Sequence, residues 1–489
     1  MAGAARSEAA ETMYWNNYGA TPPSIGFAGL DGSGGGSLNL SGAALKEPEG
    51  MAYDSVTNRL FVAGSNGITA INLDGSGASV FAPPGAPVES PQGLTLDPAT
   101  RMIYWINATA KTISRANLDG SSGGLLNTAG TEVEAYRLAI DPSAGRVYWF
   151  QGTVPGQEIM YANTNGSGVG SISTAGATPN TFASGIAVDP AGGRIYWVNY
   201  IPKSSTNDVS HANLNGSGGG ADIPAGSVPY NDPYGLTLDP TIGQIRWANY
   251  ENKTEAKGAF GFLNLAGGGG GINIATAPLS EPQDPLILKT PSGIGAPAVT
   301  RSKTSRVALS CSPGVWGADY PGSFVYQAPR SLAYQWSNNG APIAGATAAT
   351  LTAKSAGEYS CTVTATNQEG STAQISAPLS VKAAKLKLTT KKVARAKAGK
   401  LATFKLNAAN QGDLGTVNAQ VCVKLLGASK KALKAPRCRR LGKIVGAKKK
   451  GGTLKLKVKP SADPGSYKLK FIFKGASGKA IKAKVVVLG

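Results

Sequence analysis

The chain is poor in several things at once, and each shortage excludes something. Its 489 residues include one histidine, His211, so no centre built on several imidazoles is available. No apolar run reaches the length of a transmembrane helix. No segment sustains a 3.6-residue apolar period, which removes helical bundles and leaves short strands joined by tight turns. Cysteine is absent until position 311. The four that follow fall as pairs in separate segments, the pattern of an oxidising compartment. The N-terminal MAGAARSEAA has no apolar core, so no signal peptide is visible in it. Carboxylates nearly vanish from the last 108 residues. Residues 382–489 hold 29 Lys and Arg against 2 Asp and Glu, a net +27, whereas residues 1–285 hold 13 against 23, a net −10. The overall charge of +20 therefore belongs to one terminal segment, where an electrostatic partner is to be sought.

What is present is a repeat. The phrases GLTLDPATRMIYWIN, RLAIDPSAGRVYWFQ, GIAVDPAGGRIYWVN and GLTLDPTIGQIRWAN each join a strand ending in Asp-Pro to a strand carrying an aromatic pair. A weaker copy reads GMAYDSVTNRLFVAG, and each copy continues into a turn of the type NLDGSG. The tryptophan position recurs at 15, 62 (a valine), 105, 149, 197 and 247, a period of 43–50 residues. Four short strands in that period define a β-propeller blade. The first copy lacks its Asp-Pro strand, and EPQDPLILKT near residue 285 supplies one. Pairing the two ends would close a ring of six blades and leave no exposed edge. The Tyr-Trp pair is then expected to pack between neighbouring blades.

These residues resemble the YWTD repeats of the low-density lipoprotein receptor class B family, which implies a six-bladed propeller over 11–290. One position departs from that family. Its aspartate is replaced by Asn17, Asn107, Asn199 and Asn249, with Gly64 and Gln151 in the other two copies. Loops fall onto two faces by strand parity, and those after Tyr-Trp-x-Asn and those leading into each blade vary most. Variable loops on a rigid scaffold are where binding is expected. The candidate ligand face comprises Tyr18, Glu49, Gln92, Tyr136, Arg137, Tyr200, Tyr234, Tyr250 and Asp284. Rigid tyrosines with scattered carboxylates suit a sugar or an extended peptide. His211 aligns with Arg115, Tyr161 and Phe262, which makes it a structural position on a strand surface. Propeller lyases and lactonases are the enzymes the fold suggests. A lyase would need a histidine on the ligand face, so the alternative function is an enzyme using carboxylates at the central channel. No metal or cofactor is expected: Glu49 and Asp284 could contribute oxygen ligands at the axis, but no spacing demands it. DGSGGGS near Asp31 lacks the features of a calcium or phosphate loop and reads as a turn.

Residues 291–381 contain VALSCSPG, LAYQWSNNG and SAGEYSCTV. They resemble an immunoglobulin-like sandwich, which implies a Cys311–Cys361 bridge packed on Trp336, with Tyr359 two residues before the second cysteine. Residues 382–489 alternate lysine with apolar residues, as in GTLKLKVKP and SYKLKFIFKG, so each strand turns one face to a core and the other, cationic, to solvent. This segment resembles bacterial stalk domains and fits a second small sandwich, with Cys422–Cys438 closing a hairpin-like loop. Lys455, Lys457, Lys468 and Lys470 are the expected polyanion-binding residues, on adjacent strand faces. Aromatics and lysines on opposite faces argue against stacking on nucleobases. The expectation is therefore an all-β chain: a propeller and two C-terminal β-sandwiches, in a secreted or surface-attached, non-enzymatic bacterial protein. Its propeller would recognise a protein or carbohydrate, and its basic domain would hold an anionic envelope polymer rather than a specific nucleic acid.

Overall fold

The repeat folds into six four-stranded antiparallel sheets. The computed structural model describes residues 11–489 except 39, 41–44, 152–157, 179–182, 200–207, 227, 229, 231, 251–258, 268, 274–278, 417 and 437. The chain forms two compact units. One holds the six sheets, up to Ser292, together with Trp316–Ser331 and Thr366–Thr372; the other comprises Gly293–Val315, Leu332–Ala365 and Ala373–Gly489. Blade 1 runs through Pro48–Asp54, Arg59–Gly64, Gly67–Asn72 and Ser79–Phe81, and blades 2 to 5 begin at Pro91–Asp97, Leu138–Asp141, Ala183–Asp189 and Pro233–Asp239. Blade 6 is composite. Its inner strand Pro282–Leu288 pairs with Thr12–Asn17, which continues into Ser24–Gly29 and Gly36–Ser37. The inner strands neighbour one another in blade order and close the ring. Among the described residues no helix is long and apolar enough to cross a membrane.

The turns are set by side-chain acceptors. Asp97 accepts from Ala99 N and Thr100 Oγ1, and Asp239 from Thr241 N and Oγ1, so the Asp-Pro turn is locked by its own carboxylate. Asp31, Asp74 and Asp119 do the same for the second turn, each accepting from the backbone N–H two residues on. DGSGGGS is one of these turns.

The aromatic pair follows from the two-residue period of a strand, which sends adjacent side chains to opposite faces. Tyr104 packs toward Trp149 and Val147 of blade 3, while Trp105 packs toward Phe61 and Ala63 of blade 1. Tyr148 and Trp149, Tyr196 and Trp197, and Tyr14 and Trp15 repeat the arrangement, the tyrosine on the following blade and the tryptophan on the preceding one. All five tryptophans are fully buried. The indole N–H also explains the residue two positions on. Trp15, Trp105 and Trp247 donate to Asn17, Asn107 and Asn249 at 3.0–3.2 Å, and Trp149 donates to Gln151 at 3.2 Å. Blade 1 carries Val62, which has no such donor, and there the position is Gly64, where a Cβ would lie 2.2 Å from Lys46 O. In blade 4 the Asn199 amide donates instead to Ser210 Oγ.

Residues 316–331 complete the same unit, although the sequence reading left them in 291–381. Val325–Tyr326 adds a parallel strand beside the blade 6 inner strand. Asp319 holds the turn, accepting from Gln327 N and Ala328 N at 2.8 Å and from Ser55 Oγ at 2.7 Å. Pro321–Ser323 forms a single 3-10 turn against the inner strands near their Asp-Pro ends. Ser323 Oγ donates to Val188 O at 2.5 Å, and a Cβ on Gly322 would lie 2.0 Å from Ile140 O. Phe324 then faces a small axial cavity of about 10 Å3, ringed by Met51, Leu94, Leu138, Ile186, Leu236 and Pro285, one from each blade. The segment plugs the channel.

In the second unit, Cys311 and Cys361 are bonded and Trp336 is fully buried. Tyr359 Oη donates to Ser355 O at 2.9 Å, tying the strand to the turn before it. Beyond residue 381, two five-stranded sheets face each other across a core of Phe404, Leu454 and Leu456 from one and Leu469, Phe471 and Val485 from the other. Phe404 and Phe471 meet edge to face at 5.1 Å. Cys422 and Cys438 stand directly opposite on paired strands and are bonded.

Two outcomes test this packing. Trp149→Ala should cost about 3–5 kcal/mol, the range for truncating a buried aromatic; an unchanged denaturation midpoint would show that the residue carries no interblade packing. Gly322→Val should overpack the plug, cost on the order of 1–3 kcal/mol and open 316–331 to proteolysis. Wild-type protease resistance there would contradict the close approach at Ile140.

Candidate functional site

The site grows from one residue position repeated around the axis. Where the inner strands of blades 1, 2, 4 and 5 begin, a bulge brings neighbouring blades together backbone to backbone. Gly50, Gly93, Gly185 and Gly235 occupy this position in blades 1, 2, 4 and 5. A Cβ on Gly93 would lie 2.8 Å from Arg137 Cα, and one on Gly235 would lie 2.6 Å from Asp284 Cα. Arg137 and Asp284 fill the two remaining places, in blades 3 and 6. Those blades are three apart in either direction round the ring, so the two side chains meet across the axis. Arg137 Nε pairs with Asp284 Oδ1, and Arg137 Nη2 donates to Gln283 Oε1 at 2.8 Å. The guanidinium is 6% exposed and the carboxylate 12%, and the pair lines one end of the narrow axial cavity that Phe324 lines at the other.

The preceding residues Glu49, Gln92, Tyr136 and Tyr234 line the rim, whereas Ser184 and Gln283 at the same position are buried. Arg137 lies 5.6 Å from the centre of the Tyr234 ring. Tyr234 packs on Tyr250 at 5.1 Å, and Tyr250 on Tyr18 at 6.0 Å, giving a run of three tyrosines. Tyr136 is 38% exposed, and its carbonyl accepts from Arg137 Nη1. The described members of the expected ligand face thus converge on one mouth. Tyr200 lies outside the described residues. Sequence reasoning missed Glu281, which hydrogen-bonds Tyr250 and whose carbonyl accepts from Tyr18 N at 3.2 Å. The available signal was its alignment with Glu47, Ser90 and Asp232 immediately before the proline that opens an inner strand; all four have left-handed backbone, with φ of 44° to 52°.

Burial dominates the electrostatics. It raises the Asp284 carboxyl to about 6, against the pull of Arg137 and with a push from Glu49. It also raises Glu49, opposed by Arg137 and by a hydrogen bond from Gln92. The Tyr18 and Tyr250 hydroxyls are pushed up by burial and then by nearby glutamates, so both stay neutral donors. The mouth therefore offers aromatic faces, hydroxyl donors and carboxylate acceptors around one spent ion pair. Among the described residues no three His, Cys, Asp or Glu side chains converge as metal ligands. His211 does not sit on a strand surface as expected. It is buried, its Nε2 is 3.2 Å from Arg194 Nη1, and it packs on Tyr196, where burial lowers its pKa.

The basic sandwich corrects a second expectation. Lys455 and Lys457 lie on Lys449–Val458 and Lys468 and Lys470 on Gly465–Lys474, and these strands belong to different sheets. The four lysines thus divide between the two outer faces, because the chain crosses from one sheet to the other between them. On the second sheet Lys470 stands opposite both Lys424 and Lys482, and Lys468 opposite Lys484.

No family model matches the chain, and no curated protein matches it. Among solved structures it is similar to a chain of the nidogen/laminin complex, at 16% identity over 54% of this chain and 99% of that one, with a TM-score of 0.43. It is also similar to TolB from Acinetobacter baumannii (13% identity, 57% of this chain and 66% of that, TM-score 0.42). A gluconolactonase from Xanthomonas campestris gives 13% identity over 63% and 95%, with a TM-score of 0.37.

The axial pair can be tested by uncoupling it. Arg137→Met leaves Asp284 buried without its cation and should cost about 3–5 kcal/mol at neutral pH, most of it recovered when Asp284→Asn is added. Equal losses in single and double variants would show that the two groups do not interact. Since the folded-state carboxyl lies near 6, above its ordinary value of about 4, the folded state holds the proton more tightly than the unfolded chain. Wild type should therefore lose stability relative to Asp284→Asn as pH rises through that window.

Proposed function

We propose that this is an extracellular, non-enzymatic bacterial protein whose propeller mouth recognises a carbohydrate or protein ligand and whose basic sandwich binds anionic envelope polymers. The two bonded cysteine pairs support an oxidising location. At the propeller, three packed tyrosines beside Glu49 and Glu281 offer a surface for a sugar ring or an extended peptide, and an axial cavity of only about 10 Å3 leaves the rim as the place of contact.

The observation that carries the polymer reading is the cross-strand row Lys424, Lys470, Lys482. Like charges placed directly opposite destabilise a sheet. Residues 382–489 contain only Asp413 and Asp463 to offset them, and Asp413 is occupied by Arg301 and Arg306. A polyanion relieves that repulsion and releases its own counterions. Cationic and apolar faces are segregated, with Leu469 and Phe471 in the core, so attraction depends on charge density and not on bases.

The full-length protein should bind polyglycerol phosphate, heparin and duplex DNA with affinities of similar order, each falling steeply with salt. Replacing Lys424, Lys470 and Lys482 together with glutamine should flatten the slope of log affinity against log salt by about 0.7–0.9 per lysine engaged. Binding that ignores salt, or a preference for one nucleic-acid sequence that survives high salt, would refute the envelope reading.

A further inference from the structure

The second unit also contains a cleft that the flat lysine faces do not account for. Its volume is about 470 Å3, within the range of small-ligand sites. Lys303, Arg306, Lys354, Lys443 and Lys448 line it, drawn from three chain segments far apart in sequence. The lining includes one carboxylate, Asp413, and it is already committed. It pairs with Arg301 at 2.9 Å and Arg306 at 3.1 Å and accepts from Lys382 N at 2.9 Å. Arg301 and Arg306, with that backbone N–H, hold its pKa down despite burial. The four lysines are left without a carboxylate in the lining.

One wall of the cleft is braced by hydrogen bonds. Thr416 N donates to Ile444 O at 3.0 Å, Ile444 N returns the bond to Thr416 Oγ1 at 2.9 Å, and Ala447 N donates to Gly412 O at 3.2 Å. Gly446 rides so close to this wall that a Cβ would lie 2.0 Å from Asp413 O. Val445, 55% exposed, gives the cleft an apolar strip between its cations. Fixed walls, clustered cations and a short apolar strip are what a chain needs if it alternates tetrahedral oxyanions with carbon-rich links.

We propose that this cleft is a discrete binding site for a short run of a phosphate- or sulfate-bearing polymer, about one or two repeat units in length by its volume. The inference rests on the polyanion reading above and adds a location to it: the cleft holds a segment of the polymer, and the lysine faces attract the remainder.

The test uses the full-length protein with a labelled glycerol phosphate hexamer and, as a sulfate arm, a heparin-derived hexasaccharide. Replacing Lys354, Lys443 and Lys448 with glutamine should weaken hexamer binding at least about ten-fold, a difference of about 1.4 kcal/mol. Replacing Lys391, Lys400 and Lys479, which lie outside the strands and do not line the cleft, removes the same charge and should change it less than about two-fold. All six lysines are exposed, so folding is not at stake. Equal losses from both triples, or none from the cleft triple, would overturn the cleft and leave the polyanion reading standing. Failure of the wild type to bind both the hexamer and the long polymer would overturn both. Binding of only one of the two oligomers, lost with the cleft triple and kept with the other, supports the cleft and identifies the oxyanion.

Discussion

A blade wedged between two others has to bury both of its faces, and a strand offers adjacent residues to opposite faces. Those two facts together require a large apolar side chain at each of two consecutive positions. The Tyr-Trp dipeptide meets the requirement in blade after blade, with Phe61-Val62 as the variant in blade 1. Each aromatic removes on the order of 150–250 Å2 from water, so the ring closes through a circuit of similar contacts. The rest of the unit depends on this circuit. It fixes the spacing of the inner strands, brings the glycine bulges into backbone contact and leaves an axial space narrow enough for one arginine–aspartate pair to span.

The pair and the plug together decide how much room the axis has. With Arg137 and Asp284 across one end and Gly322 to Phe324 in the other, the axis is a nearly filled core rather than a passage. Asp284, raised as its carboxyl is, has a guanidinium beside it and little room around it. The rim, by contrast, has tyrosine hydroxyls, Gln92 and Glu49 at least partly open to solvent.

Much of this was legible in the sequence, and the exceptions have physical causes. Repetition revealed the strands, turns and interblade aromatics, because every blade solves the same packing problem. The Asn after Trp-x was visible as a departure from the YWTD pattern, but its meaning was not. Only the geometry shows that the amide satisfies the indole N–H, and that Gly64 accompanies Val62 because neither the donor nor the space is there. Arg137 and Asp284 read as ordinary loop polar residues, since their partnership spans 147 positions and exists only once the ring is closed. The plug was hidden for the same reason. Tyr-Pro-Gly-Ser-Phe carries no periodicity, and its fit depends on carbonyls contributed by blades 3 and 4. Lys455 and Lys468 look like neighbours on a hairpin, yet the link between their strands passes from one sheet to the other. Alternation specifies which side of a strand is wet and says nothing of which sheet the strand joins.

Charge is divided along the sequence as sharply as the repeat is. Residues 382–489 carry a net +27, whereas residues 1–285 carry a net −10 and set Glu47, Glu49 and Glu281 near the propeller mouth. At physiological ionic strength the field of an exposed charge fades over about 8 Å, so each surface attracts or repels only what comes close to it. On the proposed reading, an anionic polymer gains from the lysine faces and is repelled by the carboxylates of the mouth, and a ligand suited to tyrosines and carboxylates gains nothing from the lysines.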